Sequence, residues 1–131
     1  MSHPPLCSFA GYVSEAGKRI IQNWYDSLPE QEHDEVQDTL NYLAETPIPL
    51  WKRPEFDKVK PPLHEVRCKA NQKNHVLRVY GIFDPKVRGR FIMLAANESK
   101  KADHDSATQQ LALDRLSLIN QRRASFHGFV I

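Results

Sequence analysis

Most of the familiar signatures of chemistry are missing from this 131-residue chain. Cys7 and Cys68 are too few for a disulfide framework, and they lack the paired spacing of a metal site. The six histidines do not pair at ligand intervals, so no structural metal or other cofactor is expected. There is no phosphate-cradling G-x-x-x-x-G-K-S/T or G-x-G-x-x-G loop, no H-E-x-x-H helix and no nucleophile elbow. No apolar run approaches the roughly 18–20 residues that cross a bilayer, so no membrane partner is expected. The opening Met-Ser-His-Pro-Pro-Leu lacks the basic and apolar regions of a secretory signal. These absences lead to an expectation of reduced thiols and a cytoplasmic location.

Hydrophobic residues make up 40% and charged residues 26%, ordinary values for a globular protein. The length suits one domain over residues 1–131, with a core over about 6–120 and a tail at 121–131. The net charge of +2 hides an asymmetry. Residues 1–50 carry two basic and eight acidic side chains, residues 51–101 carry thirteen and five, and residues 102–131 carry three of each. A basic centre of this kind points either to a polyanion partner or to a solvated surface of mixed sign.

The basic excess coincides with the clearest pattern in the chain. Leu63-His-Glu-Val-Arg-Cys-Lys69 and His75-Val-Leu-Arg-Val-Tyr-Gly-Ile-Phe83 flank a short polar turn and read as a β-hairpin. A turn centred on Gln72-Lys73 sets Arg67 opposite Arg78 and Glu65 opposite Tyr80. Alternation then divides the hairpin into two faces. Val66, Cys68, Leu77, Val79 and Phe83, with His64 near the end, form the face to be buried. Glu65, Arg67, Lys69, Arg78 and Tyr80 form the other. Two arginines directly opposed cost roughly 0.2–1 kcal/mol, which invites an anion between them.

Elsewhere, residues 6–13 predict a short strand. Ser14 is placed to cap a helix with Ile20, Ile21, Trp24 and Leu28 on one stripe. Ser27-Leu-Pro-Glu30 has capping-box spacing and opens a second helix that buries Val36, Leu40, Leu43 and Ala44. The two helices are expected to pair antiparallel on the sheet. His33, among solvated acids, carries no functional signal. Trp51, beside Lys52 and Arg53 in a proline-rich connection, either pins that loop to the body or stacks on a base. Asp84–Gly89 predicts a turn and Phe91–Ala96 a strand buried on both faces. A last helix spans about Asp103–Asn120, and the tail is an extra strand or loose.

Cleavage of RNA by its own 2′-hydroxyl needs a base, cations for the phosphorane and an acid for the leaving oxygen. Arg67, Arg78, Lys100 and Lys101 offer the charge. Glu65, Tyr80, His64 or His104 offer proton transfer.

The order of elements, with Leu63-His-Glu-Val-Arg67, Leu77-Arg78-Val-Tyr80, Ser99-Lys100-Lys101 and Ala112-Leu-Asp-Arg115, resembles the RelE/ParE superfamily of type II toxins, closest to its phage-derived, HigB-like branch. The resemblance covers roughly residues 8–118. It implies an α+β fold: a small antiparallel-rich sheet of about four strands, two N-terminal helices packed on it and a C-terminal helix beside it. Arg67 and Arg78 match the family's phosphate-holding positions, and Lys100 and Lys101 its basic pair after the last strand. Glu65 stands where this branch usually has glutamate. The sequence departs from the pattern at His64, at Glu98 and in the absence of a tyrosine from the last helix.

The resemblance implies a toxin held by a cognate helix-turn-helix antitoxin and acting with the ribosome as an mRNA endoribonuclease. Its catalytic residues would be Arg67, Arg78, Lys101 and Glu65, with Lys58, Lys60, Lys69, Lys100 and Tyr80 binding RNA. The alternatives are a ParE-like inhibitor of DNA gyrase and a degenerate binding or regulatory member. On this reading, replacing either arginine with alanine abolishes activity and leaves the fold intact or slightly stabilised.

Overall fold

The computed structural model describes residues 6–69, 76–99 and 106–131. The elements are β1 (Ser8–Val13), α1 (Ile20–Asp26), α2 (Glu30–Ala44), a single 3-10 turn (Ile48–Leu50), β2 (Phe56–Lys58), β3 (His64–Lys69), β4 (Val76–Phe83), β5 (Arg90–Ser99), α3 (Ser106–Asn120) and β6 (Ser125–Gly128). The fold is α+β, with one mixed sheet ordered β2-β3-β4-β5-β1-β6. β1 runs parallel to β5, and the other pairs are antiparallel. No helix among the described residues is long and apolar enough to cross a membrane.

The sheet is larger than the expected four strands. β2 has three residues, too few for alternation to show, and it forms by setting Phe56 against Val66 of β3. The tail supplies β6, whose Phe126 pairs with Tyr12 on the free side of β1. The helices also differ from expectation. α1 packs on β1 and β5 while α2 packs on β3, and α3 lies over β4 and β5 rather than beside the sheet.

The hairpin register is as the alternation predicts, with Arg67 opposite Arg78 and Glu65 opposite Tyr80. Val66, Cys68, Leu77 and Val79 are fully buried, as are Val36, Leu40 and Leu43 of α2, and Ala44 is nearly so. Burial pushes the Cys68 thiol up to about 12 and that of Cys7 up to about 11. Trp51 pins the loop: its indole N–H donates to the carbonyls of Leu43 (3.1 Å) and Thr46 (2.9 Å). Its ring is buried among Phe9, Phe56, Phe83 and Phe91. His33 stacks on Tyr25 at 4.1 Å between ring centres.

Both serine caps find other work. Ser14 closes a turn, accepting from the Lys18 N–H on its hydroxyl (3.1 Å) and from the Gly17 N–H on its carbonyl (2.9 Å). Gly17 is in the left-handed region at φ +84, and α1 starts only at Ile20, six residues after Ser14. Ser27 donates to the Trp24 carbonyl (3.0 Å) and closes α1 from behind, leaving Pro29 at the head of α2.

A bulge shapes the centre of the sheet. Tyr80 faces Ala95 but Gly81 faces Met93, so Leu94 is the extra residue. Arg115 of α3 donates to the Leu94 carbonyl (2.9 Å) and lies 5.0 Å above the Tyr12 ring, and burial pulls its pKa down. At Gly81 any Cβ would collide with the Ile92 carbonyl and come within 2.8 Å of the Phe91 ring. Gly81→Ala is therefore expected to cost about 2 kcal/mol or more, read from the midpoint of denaturant unfolding.

His64 lies on the face of Val66, stacked on Phe56 at 5.3 Å. Burial, and then the charge of Lys58, hold its imidazole below the ordinary 6.5, and its Nδ1 has no hydrogen-bond partner among the described residues. The unfolded chain therefore binds more protons, and stability is lost as pH falls through 6.5 toward the folded value. His64→Phe should raise stability by about 1 kcal/mol at pH 8 and by more below pH 6.5. Melting temperatures across pH 5–8 check it.

Candidate functional site

The second face of the hairpin is charged, yet it is closed. α3 packs on β4 and β5, and on this face of the hairpin Glu65 is 2%, Arg78 1% and Tyr80 0% exposed. The expectation of an open basic face fails for these three. Alternation states which side chains share a face, not what lies over it. Arg67 reaches toward solvent, with its side chain 20% exposed.

One carboxylate serves both arginines. Glu65 Oε1 is 3.4 Å from Arg67 Nε, and Oε2 is 3.6 Å from Arg78 Nε. These are ion-pair contacts, too long or too poorly aligned to be hydrogen bonds. Arg67 Nε, Arg78 Nε and Nη1, and Glu65 Oε2 are all buried without a hydrogen-bond partner among the described residues. The trio thus holds a surplus of one positive charge and several unspent N–H donors. Neutral partners could not resolve that surplus, whereas an anion would.

Gln109 was not singled out by the sequence. It is buried on α3, and its Nε2 has no hydrogen-bond partner among the described residues. The one available signal is its place three residues before buried Ala112, where an apolar residue would be ordinary.

The other expected residues do not converge in the same way. Lys58 is exposed on β2 opposite His64, which puts it on the first face of the sheet, away from the arginines. Lys60 is exposed in the turn between β2 and β3. Lys69 ends β3. Lys100, Lys101 and His104 lie outside the described residues. His64, on the first face, is removed from the proton-transfer candidates of this site.

Burial also reverses the expected outcome of mutating Arg78. Removing it leaves Glu65 buried beside only one arginine, and losing one partner of a buried ion pair costs about 3–5 kcal/mol. Arg78→Met alone should lower stability by roughly that amount. The double change Arg78→Met with Glu65→Met should recover a large part of it. Arg67→Ala, at the exposed side, should cost about 1 kcal/mol or less. Denaturant unfolding of the three variants checks the set.

No family model matches this sequence, and no curated protein matches it.

Proposed function

We propose that this chain is the toxin of a type II toxin–antitoxin pair: a ribosome-dependent endoribonuclease that cuts translated mRNA and is held inactive by a helix-turn-helix antitoxin. The observation that carries the reading is the pair of opposed guanidiniums sharing one carboxylate, with N–H donors unspent. A phosphodiester would take up the surplus charge and turn mutual repulsion into charge-assisted hydrogen bonds. Arg67, the exposed member, meets the phosphate first and Arg78 supports it from beneath. Glu65, once an RNA phosphate competes for its partners, takes the proton of the attacking 2′-hydroxyl. Lys100 and Lys101, which follow β5 in the sequence, add charge for the phosphorane, and the departing 5′-oxygen takes its proton from solvent.

A second reading is favoured by one observation. Arg78 and Glu65 are closed off from solvent, an arrangement that suits a protein that binds without cutting, such as a ParE-like gyrase inhibitor or a regulatory member.

Induced expression should arrest growth, with translated mRNA cleaved and naked RNA left intact. Arg67→Ala should abolish the arrest without lowering the melting temperature appreciably, and Arg67→Lys should restore only part of it, since lysine keeps the charge and loses the fork. Arrest with intact mRNA and relaxed or broken DNA would replace this reading with the gyrase one. Undiminished arrest by the Arg67→Ala variant would remove the hairpin from the active face.

A further inference from the structure

Further along the same face, away from the arginines, α3, β6 and the turn after β4 enclose a cleft of about 410 Å³. That volume is in the range of small-ligand sites, roughly 300–1,000 Å³. Ile82, Ile92, Leu116 and Phe126 form its apolar wall. Four charged residues also line it: Asp84, Lys86, Arg90 and Arg122.

Their hydrogen bonds show which charges are already used. Asp84 accepts a fork from Arg90 (2.8 and 2.6 Å) and a further bond from the Lys86 backbone N–H (2.8 Å). Burial pushes its carboxyl up, but these bonds outweigh burial and hold it below the usual range. Arg90 is therefore neutralised where it sits, 4.9 Å from the centre of the Phe126 ring. The side chains of Lys86 and Arg122 make no ion pair among the described residues, and the cleft is left with two unbalanced positive charges.

Arg122 is held there at a cost. The Arg122 N–H donates to Ile119 and the Arg123 N–H to Leu118, both at 2.9 Å, the paired bonds that close a helix through a left-handed residue. Glycine is the ordinary occupant of that position, yet here it is arginine, at φ +60. A residue kept in a disfavoured conformation at the rim of a cationic, apolar cleft reads as a ligand clamp.

We propose that this cleft is a second ligand site, for a small amphipathic anion: an apolar ring or short chain carrying one acidic group. The wall takes the apolar body, and Lys86 and Arg122 take the charge.

The test uses the whole protein and 8-anilinonaphthalene-1-sulfonate as a fluorescent probe, displaced by octanoate, octanol or inorganic phosphate. One saturable site is expected, with octanoate displacing the probe far better than octanol or phosphate. Lys86→Gln should weaken probe binding roughly tenfold, the loss of one charge-assisted contact. Arg122→Gly should weaken it similarly while raising the melting temperature, because glycine relieves the left-handed strain. Octanol matching octanoate would mean a plain apolar patch, and phosphate matching it a plain cationic one; either overturns the proposal. So do absence of saturable binding, unchanged affinity in both variants, or an Arg122→Gly protein that loses affinity and melting temperature together.

Discussion

A single carboxylate between two guanidiniums decides whether the second face of the sheet can exist as it does. Arg67 and Arg78 are directly opposed across β3 and β4, Arg78 fully buried and Arg67 with only 20% of its side chain exposed. Two like charges taken from water each lose several kcal/mol of hydration, and mutual repulsion adds to that. Among the described residues, Glu65 is the counter-charge whose contacts reach both. Remove it, and both cations lose that partner. Among those residues the compensation is incomplete in charge and in hydrogen bonds, which is what the proposed binding of a further anion rests on. Stability and proposed chemistry therefore draw on the same three side chains.

The same face changes character along β4. Its positions run Arg78, Tyr80, Ile82, from charged through amphipathic to apolar. α3 follows the gradient, with buried Thr108 and Gln109 in its first half and Leu116 and Ile119 lining the cleft in its second. Arg115 joins helix to sheet between them, satisfying the carbonyl that the Leu94 bulge leaves out of the ladder. One helix thus covers two chemically different places.

What could be read from the sequence follows from which rules are local. The register of β3 and β4 was legible because alternation and a short turn determine it together, and the buried stripe of α2 because its period is clean. β2 was not, and β6 only as one of two alternatives for the tail, since three and four residues carry no period and each exists through the strand it joins. Ser14 and Ser27 misled for a related reason: a hydroxyl at capping spacing has several backbone partners, and tertiary packing chose others. The closed state of Glu65, Arg78 and Tyr80 was hidden because face-sharing is a property of a strand, while coverage depends on segments distant in the chain. The site residues were thus legible as a set and illegible as an environment.

The position of β1 has a consequence for how this chain must assemble. β1, the earliest of these strands in chain order, lies between β5 and β6, pairing Ser8 with Arg90 and Tyr12 with Phe126. Both of its ladders therefore close across most of the chain length, so the entropy of long loops is spent before either contact rewards it. Until β5 has emerged, Phe9, Ala10 and Tyr12 have no sheet to join, and β5 itself is completed only after the β3–β4 hairpin. The β3–β4 hairpin can therefore form locally, whereas β1 can complete its ladders only once β5 and β6 have been made.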